Sequence, residues 1–282
     1  PLVPGDEMNS TLPATLFRIH VQNAYPEEIT YRLLFCMENI VGCGGTGHTG
    51  VHLWNHWISG TVGKRTYRGQ SQNEQAIFQD DNFIGVRFHT QKEVPANSHE
   101  QSVIGEHFLL ASKKENPHCE PIAHWDAGAQ APEILSTFQS ETSSASLLKP
   151  AGALAFPGSL GPDEENVHSA TFLWWMPEHI VEEDPVGRFE RNNHAGHDVG
   201  HIHLNSFQDP IALANHLDHE KIDLEEQSRS LHRILAKTTL PTWLQNAMLH
   251  AVDSIIANTV IPRDQRLYTI EGTSWNWYFG GL

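Results

Sequence analysis

The feature that most constrains this chain is a change in the spacing of its apolar residues part-way along it. Up to about Pro177, short β-rich runs alternate with clusters of Gly, Pro, Asn and Asp. Leu16–Val21, Ile29–Phe35, Phe83–His89 and Ser169–Trp175 are such runs, and residues 24–28 form a turn between the first two. Many short strands without interleaved helices predict an antiparallel β-sandwich. After about Arg191 the period becomes helical. Asp209 can cap a helix with Pro210 at its first position, where a missing N–H costs nothing. Ile211, Ala214, Leu217, Leu224, Leu231 and Leu235 then share one face. Pro241 opens a second helix with Leu244, Met248, Ala251, Val252 and Ile255 on its face, and Pro262 lies beyond its end. The Thr238-Thr239-Leu240 link makes the pair an antiparallel hairpin. We therefore expect a β-sandwich domain over 1–190, then a linker and a helical hairpin over 191–282.

Charge and composition narrow the partners. The 282 residues include 18 Lys plus Arg against 34 Asp plus Glu, a formal charge of −16, which disfavours nucleic acid as a partner. With 39% hydrophobic and 18% charged residues the sequence is that of a globular protein. No run approaches the ~20 apolar residues of a membrane span, and nothing else in the sequence indicates membrane association. The opening Pro1–Asp6 has neither an initiator Met nor a signal-peptide pattern, so Pro1 is not expected to be the biological start. Three cysteines, Cys36, Cys43 and Cys119, are too few and too odd in number for a disulfide framework, which points to a reducing, cytoplasmic setting. The sequon Asn9-Ser10-Thr11 is of a kind that arises by chance.

Three stretches invite a chemical reading. Gly42–Gly47 is Gly-rich but lacks the Lys-Ser/Thr ending of a phosphate loop, so it reads as a sandwich loop. His194, His197, His201 and His203, with Asp198 among them, have the residue types of a metal site. Gly196 and Gly200 oppose the helix that would bring the rings together, and the chain holds 19 histidines in all, so no shared metal is expected. Glu271 stands out among the carboxylates. It lies beside Gly272 and just before Trp275, Trp277, Tyr278 and Phe279. Aromatic rings stack on pyranose faces while a carboxylate meets the anomeric carbon, which suits a sugar pocket. A core aromatic segment with Glu271 paired to an Arg would give the same pattern.

Several segments, taken in order, resemble glycoside hydrolase family 116, which includes bacterial β-glucosidases and animal non-lysosomal glucosylceramidases. Pro1–Asp6 with Asn9–Pro13 is similar to that family's opening "SPLIPGD…SSLP". Phe17–Asn23 resembles its next segment. Gly152–Ala155 and Phe172–Pro177 look like a strand ending in Trp-x-x-Pro. Thr238–Leu244 resembles "STLPxWL", and Asp264–Gly272 resembles "DGRFxxxEG", with Gln265 where the family usually has Gly. The resemblance implies a β-sandwich followed by the first helices of an (α/α)6 barrel, with Glu271 as catalytic nucleophile. The residues after Gly272 depart from the Cys-rich run of bacterial members, and Trp275 and Trp277 are expected as substrate-binding residues from the aromatic pattern beside Glu271. The resemblance implies no cofactor and no metal. It further implies that the N-terminal part of the β domain is missing before Pro1, that the remaining part of the catalytic domain, including an Asp acid/base, belongs to the same or another chain, and that the substrate is a β-glucoside or glucosylated lipid. The alternatives are a non-catalytic carbohydrate-binding or scaffold protein of the same fold, and a metalloprotein built on the histidine cluster.

Overall fold

The computed structural model describes residues 3, 5–42, 72–91, 93–94, 101–102, 104–126, 150–181, 197–257, 259–265, 268–270 and 278–279. Its β region is antiparallel throughout. β1 (Ala14–Gln22), β3 (Asn73–Gln79), β4 (Phe83–Thr90), β5 (Glu106–Ser112) and β8 (Glu165–Trp175) form a five-stranded sheet in the order β1-β8-β5-β4-β3. β2 (Ile29–Glu38), β6 (Glu120–Asp126) and β7 (Pro150–Leu160) form a second sheet in the order β2-β7-β6. The four runs read from the sequence are all strands. The turn at 24–28, however, joins strands of different sheets, since β1 pairs with β8 and β2 with β7. It is a crossing between layers and not a hairpin.

Alternation along each strand divides two cores between the faces of the larger sheet. On β5, Phe108 and Leu110 join one apolar cluster while Leu109 and Ala111 join the other. The cluster of Leu109 is the space between the sheets, filled by Val86, Phe88, Leu154 and Phe156 with Leu33 and Phe35 against them. The sheets come so close there that a Cβ at Gly152 would lie 2.7 Å from Val86 Cγ1, which is why the position holds glycine. β5 is therefore buried on both faces and reads as a continuous apolar run rather than an alternating one.

A helix covers the outer face. α1 (Glu7–Ser10) is a single turn capped by the Asp6 carboxylate, and α2 (Pro210–Ala236) is the long helix read from the sequence. Asp209 Oδ1 accepts from Ile211 N and Ala212 N at 2.9 and 2.8 Å, so the expected cap and first-turn proline are both present. Leu213, Ala214 and Leu224 pack with Phe108, Leu110, Leu173 and Trp175 of the sheet. Polar contacts fix the docking: Arg18 of β1 to Glu225 at 2.9 Å, Asn82 to Asn215 at 2.7 Å, and Lys221 to Glu115. The Asn9 carboxamide is held at both ends, donating to Asp6 and meeting His216 Nε2 at 2.9 Å, so the sequon asparagine ties α1 to α2. α3 (Thr242–Ala257) follows the link, and Met248 and Ala251 on its expected apolar face are exposed. Short strands complete the chain: β9 (Ile180–Val181) with β10 (His197–Asp198), and β11 (Thr259–Val260), β12 (Tyr268–Ile270) and β13 (Tyr278–Phe279) in a three-stranded sheet.

Candidate functional site

Beyond β8 the chain folds back across the end of the five-stranded sheet. β9 and β10 pair antiparallel, with Ile180 opposite Asp198, which sets His179 beside the stretch from Val199 to His203. Asp198 Oδ1 accepts from both His179 N and Gly200 N at 2.9 Å. Gly200 has φ of +57°, a left-handed conformation natural to glycine, and a Cβ there would lie 2.4 Å from Arg263 Nε. This bend rules out a helix at Gly200, as the glycines suggested. His201 is extended, Ile202–Asn205 make a 3₁₀ turn, and Ile202 N donates to Ile261 O.

The result is three imidazoles in a row. The His179 and His201 ring centroids lie 5.0 Å apart, and His201 stacks on His203 at 5.4 Å with 16° between planes. His203 also packs against Trp175 at 5.2 Å. Burial pushes His201 down to about 3, helped by the neighbouring His179 and His203 and by Arg263, and opposed by Asp198. Burial likewise pushes His203 down to about 4, with Arg263 adding to the effect. Both rings are therefore neutral at ordinary pH. Each then carries one N–H donor and one acceptor nitrogen. Among the described residues no group of three His, Cys, Asp or Glu is placed to hold a metal ion, and His194 lies outside them.

The three rings line a cavity of about 370 Å³. Trp174 and Met176 at and just past the end of β8, the 10–13 segment, Ser102, Ile202 and Ile261 supply the rest of its lining. His201 and His203 were visible in the sequence as part of a histidine cluster. His179, Trp174 and Ser102 were not, because only the β9–β10 pairing and the end of β8 bring them there.

Glu271, Trp275 and Trp277 lie outside the described residues, as do positions 43–47 of the Gly-rich loop, Cys43 among them. The backbone flanking the first three is described. β12 ends at Ile270, immediately before Glu271, and Ile270 pairs with Tyr278 of β13, so all three residues fall between those strands. Gln265, just before β12, has φ of +64°.

A two-layer antiparallel sandwich, backed on its outer face by a capped helix, is the class of domain on view. The family description "beta-glucosidase 2, glycosyl-hydrolase family 116 N-term" matches residues 1–205, and the chain belongs to that family. A comparison with curated proteins finds no match.

Proposed function

We propose that the chain carries the β domain and opening helices of a retaining β-glycosidase, acting on a β-glucoside or glucosylated lipid with Glu271 as nucleophile. One observation supports this most. The family match over 1–205 is continued, in the family's order, by Thr238–Leu244 and by Asp264–Gly272, the segment that ends in Glu271 and Gly272. The backbone agrees with that motif at Gln265, which takes the left-handed conformation natural to the family's glycine. α2 and α3 would be the first helices of an (α/α)6 barrel, whose remaining part, in this chain or another, supplies the Asp acid/base. Trp275 and Trp277 would wall the sugar site.

The chemistry follows from two carboxyl groups ~5 Å apart, the separation of a retaining pair. The Glu271 carboxylate bonds to the anomeric carbon as the C–O bond to the aglycone breaks, and the Asp gives its proton to the leaving oxygen. The Asp carboxylate then takes a proton from water, whose oxygen displaces Glu271 and completes hydrolysis. We place the protein in the cytoplasm. Cys36 and Cys119 are free, and burial pushes their thiols up to about 11 and about 12, which suits inert packing residues of a reducing compartment. No described helix is long and apolar enough to cross a membrane.

The test is Glu271→Gln in the complete enzyme, with hydrolysis of an activated aryl β-glucoside as readout. Turnover should fall by several orders of magnitude with folding intact, because the glycosyl-enzyme route is closed. Azide should restore part of the turnover of Glu271→Ala by attacking from the vacated space. Parental turnover by Glu271→Gln would overturn the assignment in favour of a non-catalytic carbohydrate-binding or scaffold protein.

A further inference from the structure

The histidine-lined cavity has a chemical character of its own. Among the described residues that line it, none is Asp, Glu, Lys or Arg. A charged ligand would find no ionised group in the lining itself to pair with, which disfavours anions and cations against a neutral ligand. The polar groups are neutral imidazoles and hydroxyls. His203 is 4% exposed, yet its Nε2 finds no hydrogen-bond partner among the described residues. A ligand hydroxyl that reaches this nitrogen would satisfy it and offset the cost of its burial. Ser102 Oγ accepts from Ile180 N at 2.8 Å, which fixes a hydroxyl in the lining. Trp174, Met176, Pro13 and Ile261 add an apolar and aromatic part to the same lining. At about 370 Å³ the cavity is near the small end of ligand sites and takes one six-membered ring with its substituents.

We propose that this cavity is a binding site for one neutral sugar ring, held by its C–H face on Trp174 and by its hydroxyls on His203 and His201. A hydroxyl donates and accepts at once, and so does a neutral imidazole edge, so the two match without any charge. A lining that combines an aromatic part with a neutral polar one suits a pyranose, which has one face of C–H bonds and a rim of hydroxyls. A linear polyol has no such face, and a metal ion would leave the apolar wall unused. The proposal rests on the glycosidase reading only in its choice of glucose as the first probe.

The experiment titrates D-glucose into the full chain while following tryptophan fluorescence and the ring resonances of His201 and His203. Saturable binding is expected with a dissociation constant on the order of 1–10 mM, reasonable for so small a ligand. His203→Phe keeps the ring shape and removes both nitrogens, and should weaken binding about tenfold or more. Met176→Trp fills the cavity and should abolish binding while the fold, followed by circular dichroism, is kept. Glycerol and Zn²⁺ alone should leave the histidine resonances unsaturated. Absence of saturation by glucose, saturation that survives Met176→Trp, or saturation by Zn²⁺ in place of glucose would each overturn the proposal. The Glu271→Gln chain separates it from the glycosidase reading. Glucose binding should persist there, and binding lost with Glu271 would place the sugar elsewhere and refute the cavity even if turnover confirmed the nucleophile. Binding that persists beside unchanged turnover would uphold the cavity and remove the nucleophile.

Discussion

The larger sheet and the helices that follow it solve the same problem to different degrees. The sheet is covered on both sides: Leu109, Val86 and Phe88 by the second sheet, Phe108, Leu110 and Leu173 by α2. Each strand therefore gains from two cores at once. α2 gains from one, and mainly over its first turns, where Leu213 and Ala214 are seated and Leu224 follows. Past Leu224 no residue of α2 belongs to that core: Leu235 is 8% exposed but lies outside it, while Ile234 is 60% exposed and Trp243 at the start of α3 71% exposed. A helix this long needs little more than the docked half and its cap to persist, because tertiary packing of one face supplies most helical stability. The difference teaches that the sheet is the doubly covered frame of the molecule and that α2 joins it through the stretch from Leu213 to Glu225.

The strongest way to break that comparison is to remove equal apolar groups from each region. Leu173 is 0% exposed at the centre of the sheet–helix core, so Leu173→Ala should lose about 2–5 kcal/mol in a urea or thermal unfolding curve. Ile234→Ala, on the exposed part of α2, should stay within about 0.5 kcal/mol of the parent. Comparable losses at the two sites would mean that the second half of α2 is as firmly covered as the sheet.

Acid should act on the sheet side of the molecule first. His107 is buried on β5 against Phe172, their ring centroids 5.5 Å apart, and burial pushes it down to about 4. His201 and His203 are lowered to about 3 and about 4. A histidine whose folded value lies below its ordinary 6.5 binds fewer protons folded than unfolded. Its contribution is complete above 6.5 and is lost as pH falls through 6.5 toward 4. For His107 alone the loss is about 3 kcal/mol at pH 4. Unfolding followed from pH 7 to 4 should show this decline, and His107→Phe should flatten it markedly. A pH dependence unchanged in His107→Phe would show that this ring is not the neutral, desolvated group described.

Local signals were legible, and signals assembled across the chain were not. Asp209 and Pro210 carry the start of α2 by themselves, since a cap is written in adjacent residues. The Gly200 bend was legible for the same reason. Leu213 was absent from the face read for α2 although it is fully buried, because the sheet covers a wider arc of the helix than a single stripe. β5 offered no alternation because both its faces are covered. On α3 the periodicity of Leu244, Met248 and Ala251 was real, but Met248 and Ala251 are exposed, since periodicity says which residues share a face and not what lies against it. The candidate cavity needs Trp174, Ser102, His179 and Ile261, which are not read together from the sequence and meet through the β9–β10 pairing and the bonds from Ile180 N to Ser102 Oγ and from Ile202 N to Ile261 O.

The smallest effect lies at Gln265, where sequence and backbone disagree. The residue is in the left-handed region with φ of +64°, which costs a side-chain-bearing residue roughly 1–2 kcal/mol. Glycine removes that strain but loses about 0.5–1 kcal/mol more backbone freedom on folding. Gln265→Gly should therefore stabilise by about 0.5 kcal/mol, a shift readable as a small rise in melting temperature. Because Gln265 N also donates to Pro262 O at 3.0 Å, the turn itself stays closed by backbone in either variant, so the change isolates conformational strain. Destabilisation by Gln265→Gly would show that the glutamine side chain contributes a contact worth more than the strain. It would also remove the one backbone feature that supports the motif ending in Glu271 and Gly272.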